Sequence, residues 1–296
     1  MKAIFQLTPS ESKRLIAKAV VQLEVVRQAR EKGYIIIAGG ITTSFVIEEL
    51  LSKTIDKGRC TAGISVRGVL CVTSAQDRLN PRQLVSTETE IEQTKSEAFQ
   101  ALIFQKGKPV QMTMKEAFED FHPETVVIKG GNALDPEGNV GIAMAGFNGG
   151  TVGESLGYIY SNGIPLIMPI GLEKLVLSVR EAAKAVGAKT FDYAIGCSIG
   201  MMPISKAIVV HEVKALEILC RVKATHVASG GVSGSEGAVT LVVEGGKEAV
   251  EETVKIIHSV KGEPPIKAPK GRCNECPYFC TFAGKQEQEL PLYLRS

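Results

Sequence analysis

Residues 34–51 read "YIIIAGGITTSFVIEELL". An apolar run from Tyr34 to Ala38 meets Gly39 and Gly40, then the hydroxyl residues Thr42, Thr43 and Ser44, then an amphipathic stretch. A short strand that is apolar on both faces belongs in the middle of a parallel sheet covered on both sides. Glycines at its end let the backbone approach a ligand, and the helix that follows presents unpaired N–H groups and the positive end of its dipole. With the hydroxyl donors this makes an anion pocket suited to a phosphate or a carboxylate. The same letters also read as a tight turn with Thr42 or Thr43 as an ordinary helix cap. On this stretch alone the two readings are even.

Working outward, "TPSE" at 8–11 is a capping box with proline at the first helical position, opening a helix with apolar Ile16, Ala19, Val20, Leu23 and Val26 that ends near Gly33. "GVLCVT" at 68–73 reads as a second buried strand. Residues 76–96 are polar and read as a candidate active-site loop. "ALIFQ" and "KPVQM" are strands around a turn at Gly107, and "TMKE" at 113–116 is a second capping box. "TVVIKGG" and "IPLIMPI" are further strands, and "LEKLVLSVREAAKAVG" is a helix stopped by Gly187. Strands alternating with helices predict an α/β fold, its sheet mostly parallel with flanking helices and its ligands at the carboxyl ends of the strands. From about residue 204 the order becomes β-α-β-β-α, which predicts a smaller ferredoxin-like α+β domain with a fourth strand after its last helix. "GEPPIKAPKG" at 262–271 reads as a linker. The expected division is therefore 1–203, 204–262, and a linker with a cysteine-containing tail over 263–296.

Composition removes several classes. In 296 residues the apolar share is 44%, the charged share 22% and the formal net charge +2, without a block of like charges. That is not the basic footprint of a nucleic-acid binder. No apolar run approaches the roughly 20 residues of a membrane span. "MKAIFQLTPSESKR" turns polar too soon for a signal peptide, so a cytoplasmic protein with no membrane partner is the expectation. His122, His211, His226 and His258 share no ligand spacing and read as surface or cap residues. Cys60, Cys71, Cys197 and Cys220 lie in apolar stretches and read as buried free thiols.

Residues 125–176 carry the second motif: a strand ending in Lys129, Gly130, Gly131 and Asn132, a turn over 135–138, and a glycine-rich stretch containing Gly150, Thr151 and Gly153. With "AGGITTS", this order of motifs resembles the superfamily of ribose-5-phosphate isomerase, glucosamine-6-phosphate deaminase and the CoA transferases. The sugar-phosphate sensors of DeoR-type repressors, the initiation-factor-2B-like sugar isomerases and the lactate-utilisation proteins share its fold. "IKGGNAL" is similar to the Lys-Gly-rich stretch of ribose-5-phosphate isomerases, and the resemblance covers roughly residues 10–200. It implies a phosphate loop over Gly39, Gly40, Thr42, Thr43 and Ser44. It also implies a ligand wall from Gly130, Gly131, Asn132, Gly150, Thr151 and Gly153.

The chain departs from the pattern at Asn132, which stands where the isomerase branch has an acid. An amide cannot take up the proton an isomerase moves, so Asp135 or Glu137 is the candidate substitute. Lys129 either contacts the anion as a point charge or snorkels from a strand end. A nucleophilic glutamate of the CoA-transferase kind has no counterpart nearer than "SEG" at 235–237.

The tail reads "CNECPYFC", placing Cys273, Cys276 and Cys280 in a C-x₂-C-x₃-C spacing. Close thiolates suit zinc or an iron–sulfur cluster, with a fourth ligand from elsewhere in the chain, a partner or a small molecule. A tail disulfide plus a free thiol is the other reading. The small domain resembles a bacterial microcompartment shell domain and the assembly subdomain of ribose-5-phosphate isomerase, which implies a homo-oligomer. The expected function is binding of a small anionic metabolite, a phosphorylated sugar or an organic acid, by an isomerase-like enzyme using Lys129, Asp135 and Glu137. A non-catalytic metabolite sensor and an assembly or scaffold protein are the alternatives.

Overall fold

The computed structural model describes residues 1–79, 101–120, 122–146 and 148–295. The chain opens with β1 (Lys2–Leu7) and α1 (Pro9–Val20). At the start of α1 the Thr8 hydroxyl accepts the Glu11 N–H at 3.4 Å and the Glu11 carboxylate accepts the Thr8 N–H at 2.9 Å, the predicted reciprocal cap. The helix does not run on to Gly33. It stops at Val21 and restarts as α2 (Glu24–Lys32).

β2 (Tyr34–Ala38) is buried at every residue and leads into α3 (Ile41–Leu51). A hairpin of β3 (Gly63–Val66) and β4 (Val69–Val72) follows, turning at Arg67 and Gly68, both with positive φ. β4 is thus not the buried central strand predicted at 68–73. Among the described residues its one strand partner is β3, with a single further bridge from Leu70 to Gly196, and Leu70 is exposed. Of the polar loop at 76–96, residues 80–96 lie outside the described residues.

β5 (Ala101–Gln105) and β6 (Lys108–Val110) form the predicted hairpin, with Lys106 and Gly107 at φ 47° and 75°. Two successive positive φ angles are what a type I′ turn needs to match strand twist. α4 (Met114–Glu119) begins at the second predicted capping box. Then come β7 (Val126–Ile128), β8 (Ala133–Leu134), β9 (Val140–Met144), α5 (Gly150–Ser161) and β10 (Leu166–Pro169). The predicted helix over 172–187 is shortened to α6 (Val179–Ala185). Ser178 caps it by accepting the Glu181 N–H, while the Val176 N–H is drawn to the Leu134 carbonyl at 2.7 Å, which keeps the preceding residues extended.

The last elements are β11 (Gly200–Ile204), β12 (Ile208–Val210), α7 (Glu212–Cys220), β13 (Lys223–Ser229), β14 (Val239–Glu244) and α8 (Lys247–Val260).

The main sheet has the order β12-β10-β7-β2-β5-β6. β12, β10, β7 and β2 run parallel, β5 is antiparallel to β2, and β6 turns back antiparallel to β5. The sheet is therefore mixed rather than mostly parallel, because the short β5–β6 hairpin folds back along the β2 edge. β2 and β7 are neighbours, so the glycine turns after them open on the same side.

The smaller sheet also differs from the ferredoxin-like expectation. Among the described residues it has three strands, β1-β14-β13, all antiparallel. Its third member comes from the N-terminus, and β12, predicted to belong to it, pairs with β10 in the main sheet. α1 packs on α3 on one side and on α7 and α8 on the other, so one apolar core spans the 203/204 boundary. The "linker" lies against this body: Ile266 packs on the core, and a side chain on Gly58 would overlap the Lys267 carbonyl. Among the described residues no helix is long and apolar enough to cross a membrane.

Candidate functional site

A cavity of about 490 Å³ opens at the carboxyl ends of β2 and β7. Two strand-end turns form its floor, Gly39-Gly40 after β2 and Lys129 to Asn132 after β7. The backbone is close there: a Cβ on Gly131 would overlap the Val140 side chain. Two helix starts face the same space, α3 through Ile41 and Thr42, and α5 through Gly149, Gly150 and Thr151. The first turn of each helix carries N–H groups with no partner inside the helix, and both dipoles place positive potential on the cavity.

The start of α5 depends on glycine. Gly149 is left-handed at φ 82°, and a Cβ on Gly153 would overlap the carbonyl oxygen of Asn148. Gly153 is exposed, is not a lining residue and serves the turn. Gly153→Ala is expected to lower stability by about 1–3 kcal/mol, the usual cost of forcing an atom into filled space. Urea unfolding checks this, and an unchanged midpoint would contradict the placement of the turn.

Three lysines reach the cavity from distant parts of the chain: Lys13 on α1, Lys129 after β7 and Lys174 after β10. Lys13 is committed, its ammonium 2.6 Å from Glu173. Lys174 donates to the Gly131 carbonyl at 2.8 Å. Lys129 has no ion-pair or side-chain hydrogen-bond partner among the described residues, and burial pushes it down to about 8. Lys174 is also pushed down to about 8, by burial first and by the Lys13 charge second, with Glu173 and Glu212 acting against them. Thr42 adds a second observation. Its hydroxyl is buried, and Thr42 lines the cavity; among the described residues that hydroxyl has no hydrogen-bond partner. A buried polar group left unpaired costs roughly 1–3 kcal/mol, which a bound acceptor would remove.

The other two hydroxyls turn inward. Thr43 donates to the Ala38 carbonyl at 2.8 Å and Ser44 to the Ile41 carbonyl at 2.6 Å. Neither lines the cavity. Asn132 does, with its amide oxygen fixed by the Ala143 N–H at 2.9 Å.

Asp135 and Glu137, the sequence candidates for acid–base work, are not lining residues. Asp135 is buried and organises the β8–β9 turn, accepting N–H groups of Glu137, Asn139 and Val179 at 2.9–3.1 Å. Burial works to raise its carboxyl, but these donors with the Asn139 amide hold it below the ordinary value. Glu154 is the carboxylate that lines the cavity, accepting from the Asn148 amide at 3.0 Å.

The wall opposite the glycine turns is made by Leu70, Cys71 and Val72 of β4, with Cys197 and Tyr278. Sequence reading missed Lys13, Lys174, Glu154 and this wall. Lys174 alone carried a local signal, standing after a buried strand as Lys129 does. The molecule is an α/β protein whose mixed sheet presents a glycine-lined, lysine-bearing cavity at the ends of its parallel strands. Comparison with protein-family models, with curated proteins and with solved structures finds no match for the chain.

Proposed function

We propose that the cavity binds a small anionic metabolite, a phosphorylated sugar or an organic acid. The observation that carries this is the Lys129 ammonium without a counter-charge among the described residues, facing two helix N-termini and the orphaned Thr42 hydroxyl. A half-buried cation at a site of positive potential is unfavourable until an anion enters. The motif resemblance to phosphosugar isomerases points to the same ligand class.

An isomerase-like reaction also has candidate groups. Lysines near 8 lie in the range of a general base, and Glu154 offers a second proton acceptor facing the cavity. Binding without turnover is the sensor reading. Its support is that the isomerase branch's acid is replaced here by Asn132, whose amide is held by backbone.

Thermal-shift screening at pH 7 against sugar phosphates, organic acids and acyl-CoA, followed by product analysis on each hit, tests both. At least one anion is expected to stabilise the protein saturably. Conversion of that hit supports the enzyme, and its recovery unchanged supports the sensor. A flat response to the whole panel would remove the anion site and favour a scaffold.

A further inference from the structure

The cysteines contain a feature independent of what the cavity binds. Five of the seven, Cys71, Cys197, Cys273, Cys276 and Cys280, come together from three separate segments. Backbone contacts hold those segments in place. The Cys197 N–H donates to the Leu70 carbonyl at 2.7 Å, next to Cys71, and Leu70 bridges Gly196. The tail is tied to the same loop by Ser198 N–H to the Phe279 carbonyl at 3.1 Å and Thr281 N–H to the Ala194 carbonyl at 2.8 Å. Gly271 presses on Val72 so closely that a side chain there would overlap its carbonyl. A small apolar cluster of Val69, Phe282, Leu290 and Leu294 closes over Cys71, Cys273 and Cys280. All seven cysteines are free thiols.

We propose that these five residues supply the ligands of a thiolate metal centre, zinc or an iron–sulfur cluster, built between the tail and the cavity wall. Either form takes four protein ligands, commonly cysteine thiolates, and the tail alone has three. Cys71 and Cys197 supply the missing ligand from within the chain, and both line the cavity.

The surroundings suit sulfur ligands. The Phe282 N–H lies 3.4 Å from the Cys280 sulfur and the Lys270 ammonium 3.8 Å from that of Cys273. Donors of this kind tune and orient metal-bound thiolates. A thiol must lose its proton to ligate a metal, so binding here would release protons.

Among the described residues no three His, Cys, Asp or Glu side chains stand arranged to hold an ion. Metal binding therefore requires these side chains to move from the positions seen here.

The test is metal and acid-labile sulfide analysis, with absorbance spectra, on full-length protein purified anaerobically. Near-stoichiometric metal is expected, falling at least several-fold in C280S and in the C71S/C197S double variant but not in C60S or C220S. Iron with sulfide and a broad visible absorbance identifies a cluster; one colourless zinc per chain identifies the mononuclear form. Alkylation of the folded wild type, before and after chelation, covers the case in which a variant misfolds: the five thiols should be protected until metal is removed. Absence of metal from the anaerobic protein, equal metal in C71S/C197S and wild type, or thiols alkylated equally with and without chelator would each overturn the proposal.

Discussion

Replacing Arg14 by methionine destabilises the fold by about 3–5 kcal/mol, the cost of removing one partner from a buried ion network. Arg14 is the hub of that network. Its guanidinium bonds Glu48, reaches Glu49 at 2.9 Å and Glu263 at 2.9 Å, and lies over the Phe45 ring. It thereby joins α1 to α3 and to the segment after α8. Lys57, at 2.7 Å from Glu48 and 3.6 Å from Glu263, is the other cation on those two carboxylates. Methionine keeps most of the packing volume but leaves the carboxylates facing one another.

The pH dependence gives the change a second signature. Burial works to raise the Glu48 carboxyl, but Lys57, the Ile55 N–H and Arg14 hold it below its ordinary 4.5. A depressed carboxyl stabilises the fold above its unfolded value, and that contribution is lost as pH falls through the folded one. Without Arg14 the clustered carboxylates take up protons more readily. The deficit is therefore largest at pH 7 and narrows below about pH 4.5. Denaturant unfolding at both pH values measures it. A deficit under 1 kcal/mol at pH 7, or one independent of pH, would contradict the network's role.

Lys129→Met has the opposite profile: anion binding falls while the apo fold at pH 7 is at least as stable as the wild type. A hydrogen bond to a charged group is worth about 1.5–3 kcal/mol, so affinity at pH 7 drops roughly 10- to 100-fold. The sign of the pH effect follows from burial. Lys129 titrates near 8 in the fold against an ordinary 10.5, so between those values the unfolded chain binds more protons. Its contribution to apo stability thus rises with pH across that window, and the variant lacks the rise. The buried thiols Cys60 and Cys197, both pushed up to about 12, pull the other way above pH 9, so the comparison is between wild type and variant rather than along one curve. The ligand meets the reverse trend, because the anion needs the ammonium form and its affinity falls above about pH 8.

What was legible in the chain was local. β2, β7 and β10 are buried on both faces, so their apolar runs have no competing reading, and both threonine capping boxes announced their helices. α7 and α8 were also readable as drawn. Partners far apart in sequence were not. β1 pairs with β14 from Lys2↔Glu244 to Leu7↔Val239, and nothing in "KAIFQL" names that partner. β12 has the same apolar letters whether it joins the small sheet or lies beside β10. The site divided in the same way. Gly39, Gly40, Thr42 and Lys129 follow strands whose burial was evident, whereas Lys13 reaches the cavity only because α1 packs across the sheet. Cys71 and Cys197 read as core thiols because an apolar neighbourhood is the same whether core or tail supplies its other half.

The most direct test of the central claim is a calorimetric titration of wild type and K129M, at pH 7 and pH 9.5, with the anions that stabilise the protein in the thermal screen. The account predicts saturable binding by wild type at pH 7, weaker binding at pH 9.5, and roughly 10- to 100-fold weaker binding by K129M at pH 7. Equal affinities for the two proteins at pH 7, or no saturable binding by any anion, would contradict it.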